Sequence, residues 1–237
     1  MTSDLPNQPE KGPTEWGEGR HGVGPWDVEH PGEPWPIPPE RYDPELLVAG
    51  DRRNVVDPYR YWSVEAINAD LDARRAMRRQ SRPNGCELHI AIENFENDAN
   101  IGTVVRTANA FLVETVHIVG RRRWNRRGAM VTDRYQHIAH HATVDELVTW
   151  CAEKNLPIVA IDNVPGSVPL ETAELPARCL LLFGQEGPGV TEAAQSAAVM
   201  TCSIAQFGST RSINAGVAAG IAMHAWVRQW ADLSQAW

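Results

Sequence analysis

The chain has 237 residues, 43% hydrophobic and 22% charged, with no apolar run long enough to cross a bilayer, so it is expected to build one sizeable core. Its opening carries acids and prolines where a secretory signal needs a basic start and an apolar block, so a cytoplasmic protein with no membrane partner is the expectation. The four cysteines, Cys86, Cys151, Cys179 and Cys202, form no C-x-x-C pair, which excludes a zinc ribbon and a disulfide framework. The formal charge of −8 argues against a nucleic-acid partner only until it is divided by region. Residues 1–50 hold ten acids and three bases, whereas residues 51–82 hold eight bases and five acids. Five arginines fall in the run RRRWNRR at 121–127, so a local positive field is compatible with the acidic total.

Ten of the seventeen prolines lie in residues 1–44, among glycines, acids and the tryptophans Trp16, Trp26 and Trp35. Residues 1–45 therefore read as a Pro-rich acidic tail, disordered or extended. The tryptophans leave a second reading open, in which part of GPWDVEHPGEPWPIPPE docks on the folded domain or on a partner. Residues 46–85 read as a helical extension. It starts at Asp57-Pro58, carries Val64, Ile67 and Leu71 on one face, and stops at Pro83-Asn84-Gly85. Arg74, Arg75, Arg78 and Arg79 come late in it, and are read as a solvated helix end matched to the helix dipole rather than as an RNA-facing patch.

From Cys86 onward short apolar runs alternate with helical patterns. ELHIAIE, TVHIVG, PIVAID, RCLLLFG and AVMTCSI predict strands, while Ile101 to Leu112, Val144 to Lys154, Val190 to Ala197 and Ser212 to Leu233 predict helices. This alternation predicts an α/β domain over 86–237 with a mostly parallel sheet flanked by helices.

Three loops after predicted strands hold most of the unusual residues, and in an open α/β sheet ligands bind beyond the carboxyl ends of the strands. The first, NFENDANIGTVVRTA, offers Asn100 as a helix cap and places Arg106 well off the apolar stripe of Ile101, Val104, Val105 and Ala108. The second, LLLFGQEGPGV, runs a buried strand into a glycine turn that matches neither the dinucleotide fingerprint nor a Walker loop. Taken alone it is a tight turn or a ligand loop, and both readings stand. The third, SIAQFGSTRSINAGVAAGIA, leads a strand through a polar loop into a helix of small residues.

Together, in spacing and order, the three loops resemble the signature motifs of the SpoU, or TrmH, group of the SPOUT superfamily of RNA 2′-O-ribose methyltransferases. The residues that carry the resemblance are N-I-G-x-x-x-R-T-A, F-G-x-E-G-x-G and S-I-N at the head of an alanine-rich helix, within about residues 86–233. The resemblance implies a deep trefoil knot at the C-terminal end and a homodimer, with the helix of Trp226 and Trp230 as a candidate interface. It implies methyl transfer from S-adenosylmethionine to a ribose 2′-hydroxyl of tRNA or rRNA. Arg106, Asn100, Glu186, Ser212 and Asn214 match the catalytic positions, and Ile161, Gly184, Ile204 and Ile213 match the cofactor pocket. Arg106 is then either the base or a cation that stabilises the developing alkoxide. Three departures from the family pattern stand out: Ala205-Gln206 where proline and methionine are common, Ile213 for leucine, and Gly216 for serine.

Arg121, Arg122, Arg123, Arg126 and Arg127 surround Trp124, and point charges beside a stacking ring suit single-stranded or loop RNA. Arg134, His137, His140 and His141 lie close by in sequence. The rival readings are a knotted paralogue that grips RNA without catalysis, and an unrelated nucleotide-binding enzyme.

Overall fold

The computed structural model describes residues 22–93, 98–120, 123–185 and 187–236. Two compact units divide the chain, residues 1–67 and 68–237. The boundary falls inside a helix, 18 residues before the 85/86 junction at which the sequence pattern changes.

The first unit is irregular but built. Helix α1 (Trp26–Glu29), a 3-10 turn at Pro39–Arg41 and helix α2 (Pro44–Ala49) precede the start of helix α3 (Val64–Gln80). Trp26 stacks on His30 and meets the edge of Tyr61, whose hydroxyl donates to the Gly24 carbonyl at 2.7 Å. Buried Asp51 accepts from Arg53 and from the Tyr61 N–H, and Val23 bridges Asp51. The part of the Pro-rich segment from residue 22 onward is thus docked within its own unit, through aromatic contacts and backbone bonds. The expected tail over residues 1–21, with Trp16, lies outside the described residues.

In the second unit the strands are β1 (Glu87–Glu93), β2 (Val116–Val119), β3 (Ile138–His141), β4 (Ile158–Ile161), β5 (Val168–Pro169), β6 (Arg178–Phe183) and β7 (Ala198–Ser203). The helices are α4 (Asp98–Ala110), α5 (Val144–Glu153), α6 (Glu192–Ala197) and α7 (Ala215–Trp230). All seven strands run parallel in the order β3-β2-β1-β6-β4-β7-β5. The central strands are apolar without alternation because both faces are covered. Leu88, Ile90, Val159, Leu181 and Phe183 face α4 and α7, whereas Ala91, Ile158, Leu180 and Leu182 face α5 and α6. No helix among the described residues is long and apolar enough to cross a membrane.

Two of the four late arginines of α3, Arg75 and Arg78, are not part of a solvated helix end, whereas Arg79 is exposed. Arg75 is buried and donates to the carbonyls of Val113 and Tyr135, and Arg78 reaches the carbonyls of Phe111 and Leu112. Arg78 and Arg79 share Glu114. The loop from α4 to β2 leaves its carbonyls unpaired by secondary structure, and these guanidinium groups satisfy them. Trp226 is likewise fully enclosed in its own core, donating to the Pro176 carbonyl at 3.1 Å, so it is no interface residue.

One polar feature crosses the sheet. His89, His117 and His141, on adjacent strands, form a hydrogen-bonded chain of 3.1 and 2.9 Å, with Trp150 packed against all three rings. Burial pushes the His89 imidazole down to about 4 and lowers His117 and His141 as well. A histidine kept neutral in the fold but protonated when unfolded gives stability that is full above about pH 6.5 and is lost as pH falls toward 4. His89 alone contributes on the order of 3 kcal/mol to that slope. His89→Gln, which keeps a donor and an acceptor without the titration, is expected to flatten the loss of stability between pH 7 and 4.5 in denaturant titrations.

Candidate active site

The site is built at the carboxyl edge of the sheet, where β1, β4, β6 and β7 end. Asn214 caps α7, its side-chain oxygen accepting the Val217 N–H at 3.2 Å, which leaves its amide hydrogens free for a second task. They go to Asn100 Oδ1 on α4, at 3.0 Å. One carboxamide therefore starts a helix and ties the first loop to the third. Gly216 closes the joint, since a Cβ there would lie 3.2 Å from Asn214 Oδ1 and 3.4 Å from Asn100 Oδ1. A side chain in its place would need these groups to give by a few tenths of an ångström.

Arg106 stands on the outward side of α4, exposed and without an ion pair among the described residues. Thr103, one turn earlier, faces Gly216 of α7, where an added Cβ would lie 3.3 Å from the threonine methyl group. Helical rise puts Arg106 about 9 Å along the axis from Asn100. Ser212 is exposed and Ile213 half-buried in the segment leading to α7.

The second loop is a turn held shut by its own backbone. Gln185 and Gly189 exchange N–H···O bonds of 2.9 and 3.0 Å. A Cβ on Gly184 would lie 2.1 Å from the Gly189 carbonyl carbon and the Val190 nitrogen, so only glycine fits. Gly187 has a φ of +99° and open space on its Cβ side. Two carboxylates brace this turn. Asp162, just after β4, accepts the Val190 N–H at 2.8 Å, and Glu93, at the end of β1, accepts the Thr191 N–H at 3.2 Å. Sequence reasoning passed over both. The available signal was an acid at the end of a buried central strand, a position where burial demands a partner.

Among the expected cofactor residues, Ile161 pairs with Phe183 across the sheet, Gly184 follows Phe183, and Ile204 packs on the same apolar cluster. Main-chain groups beside aliphatic walls, with no phosphate-binding fingerprint, fit an uncharged adenosine moiety. Glu186, Arg121 and Arg122 lie outside the described residues.

The basic run is anchored to α4. A Cβ on Gly102 would sit 2.7 Å from the Gly128 backbone, so the 3-10 turn Arg126–Ala129 packs directly on the helix that carries Asn100 and Arg106. Arg123, Arg126 and Arg127 are exposed, with Arg126 6.0 Å over the Trp124 ring and 3.4 Å from Asp133. The nearby histidines do not join this surface, because His137 pairs with Asp72, His140 bonds the Gly120 carbonyl and His141 is buried. A cavity of about 560 Å³ lies at the amino end of the sheet. Its Arg75, Arg79 and Arg178 are already bonded to Asp72, Glu114 and Glu87, so it is not the reactive site.

Residues 87–224 match the SpoU rRNA Methylase family. The chain is 25% identical over 146 residues to a tRNA (guanosine(18)-2′-O)-methyltransferase of Escherichia coli, a stretch covering 60% of this chain and 64% of the relative. It is 28% identical over 149 residues to an uncharacterized tRNA/rRNA methyltransferase of Mycolicibacterium smegmatis, covering 60% of this chain and 46% of that one. The chain thus spans less than two thirds of the length of these relatives. Among solved structures, an RNA 2′-O ribose methyltransferase superimposes with a TM-score of 0.56 at 25% identity, covering 62% of this chain and 58% of the other. The SpoU methyltransferase AviRb of Streptomyces viridochromogenes, in complex with AdoMet, shares the fold with a TM-score of 0.57 at 22% identity, over 60% of each chain.

Asn214→Ala removes both the cap and the bond to Asn100 and is expected to cost about 2 kcal/mol. Asn214→Ser keeps the cap alone and should cost about half of that. Equal losses in denaturant midpoints would count against the double role.

Proposed function

This chain belongs to the SpoU rRNA methylase family, and from that premise we propose that it transfers a methyl group from S-adenosylmethionine to a ribose 2′-hydroxyl of tRNA or rRNA. The observation that carries the reading is the Asn214–Asn100 hydrogen bond, which joins the third motif to the helix bearing Arg106.

The cofactor, when bound, supplies an electrophilic methyl group on a sulfonium. The protein's part is to hold, orient and stabilise. The backbone of the Gly184–Gly189 turn and the side chains of Ile161, Ile204 and Ile213 would hold the adenosine. Asn214 caps α7 and holds Asn100, which lies inside the first turn of α4 and not at the cap position the sequence suggested. Ser212 and, by its motif position, Glu186 are proposed as further catalytic groups. Arg106 is free to bind an RNA phosphate and to stabilise the alkoxide as the 2′-proton leaves. A guanidinium stays protonated in proteins, which favours this role over that of a base.

Two further elements belong to the reading. Strand β7 lies between β4 and β5, which are joined by residues 162–167 alone. Asp162 N–H bonds the Cys202 carbonyl and Leu170 N–H bonds that of Ser203, so this short connection closes over the end of β7. A chain that leaves β7 and packs α7 against α4 fits a threaded, knotted path. Second, Val217 and Ile221 lie one turn apart on α7, 53% and 40% exposed. A second copy of the chain would cover this apolar strip, which supports a homodimer.

Incubation of the protein with labelled S-adenosylmethionine and cellular RNA, followed by mass-spectrometric mapping of 2′-O-methyl nucleotides, tests the function. Arg106→Ala is expected to abolish methylation while cofactor binding survives; retained turnover would remove Arg106 from the mechanism. Replacing the five arginines of 121–127 by glutamine should weaken RNA binding and lower the slope of log K against log salt by about three, with cofactor affinity unchanged.

A further inference from the structure

The loop between β7 and α7 carries an aromatic ring that the fold leaves in water. Phe207 is 98% exposed, whereas the other described phenylalanines, Phe111 and Phe183, pack in or against the core. The loop that bears it is pinned at both ends. Ala205 N–H donates to Glu171 Oε1 at 3.0 Å, and Asn214 caps α7 and holds Asn100. Between these anchors, residues 206–212 make no hydrogen bond among the described residues, and the Cβ side of Gly208 is open.

Single exposed apolar side chains are common, and exposure alone assigns Phe207 nothing. Its position and its company do. Ile204, an expected cofactor residue, lies three residues before it and Ser212 five after, so chain length alone keeps it within about 11 Å of one and about 18 Å of the other. Arg211 is exposed and has no ion-pair partner among the described residues, and the hydroxyls of Ser209 and Thr210 are exposed beside it. The neighbours of the ring in this loop are thus polar and cationic. A second copy of the chain would need a continuous apolar face, whereas a single-stranded nucleic acid needs a ring to stack on and a cation within reach of its backbone.

We propose that Phe207 is the stacking platform for an unpaired base of the substrate RNA at the methylation site, with Arg211 taking a phosphate of the same strand. The proposal rests on the reading that the third loop borders the site of methyl transfer. Every base has a π face, so stacking on Phe207 orders the strand without selecting its sequence. Phe207 touches the substrate and takes no part in moving the 2′-proton.

The test uses the full chain, labelled S-adenosylmethionine and cellular RNA as the methyl acceptor, with initial rates measured against RNA concentration. Phe207→Ala is expected to lower kcat/KM for RNA about tenfold or more. Phe207→Leu, apolar but without a π face, should fall nearly as far, and Phe207→Tyr, which keeps the ring, should restore most of the loss. Arg211→Gln should weaken RNA binding and reduce the slope of log K against log salt by about one. The affinity for S-adenosylmethionine by calorimetry and the thermal midpoint are expected to be unchanged in the Phe207 variants, because the free protein leaves this ring in water. Full turnover by Phe207→Ala overturns the proposal, and so does full turnover by Phe207→Leu, which would make the ring an apolar contact only. Weakened cofactor affinity would make Phe207 a wall of the cofactor pocket, and a lower molar mass of Phe207→Ala in light scattering would assign it to a second copy; either result overturns the proposal. If the natural protein methylates no RNA, the proposed function falls and this inference with it; if it does and the variants turn over alike, only the role of Phe207 falls.

Discussion

One side-chain amide ties the first and third loops of the site together, over the apolar packing of α4 on α7. Asn214 satisfies an orphan N–H at the head of α7 with its oxygen and spends its N–H on Asn100, so the start of one helix is defined by its contact with another. Everything placed on α4 inherits that constraint. Arg106 lies further along the same rigid helix, and the basic turn at Arg126–Ala129 is pressed onto it where Gly102 and Gly128 allow backbone to meet backbone. A reactive group, an RNA-facing loop and the cap of α7 thereby share one frame.

The glycine turn is fixed by different means. Its shape comes from contacts too short for any side chain at Gly184, and its position comes from carboxylates sent in from two strands. Carboxylates suit this task because each can accept from more than one backbone amide, and a charged acceptor makes a stronger bond than a carbonyl would. Their cost is burial, which is why they sit at strand ends, beneath the loop they hold, and not within the strands.

Much of this was legible in the sequence, for physical reasons that differ between elements. The run ELHIAIE predicts β1 to the residue, because a central parallel strand must be apolar on both faces. The run IAHH does not announce β3, which lies at the sheet edge with exposed residues and carries no apolar pattern. Helix α7 begins three residues later than the small-residue pattern suggested, because Ser212 and Ile213 belong to the loop that delivers Asn214 to its cap position. The arginines of α3 and the histidines near 140 were hidden for a common reason. A charged or polar side chain in sequence gives no sign of the carbonyl or carboxylate that awaits it in space, and Arg75, Arg78 and His141 are all consumed by such partners.

The same logic resolves the apparent conflict between an acidic protein and an RNA substrate. Ten of the thirty acids lie in the first fifty residues. In the second unit, several of the remaining acids are neutralised where they stand: Glu114 by two arginines, Glu87 by Arg178, Asp72 by Arg75 and His137. Those pairs remove acid and base from the field together, and they lie at the amino end of the sheet, around the cavity there. Of the arginines left exposed with no carboxylate partner among the described residues, Arg106 lies on α4 and Arg127 in the turn packed upon it, with Arg123 just before that turn. Net charge is a sum over the whole chain, whereas a phosphate within a Debye length responds to the few charges near it. An overall charge of −8 is therefore compatible with a local surface that attracts RNA, provided the bases that matter are the ones left unpaired.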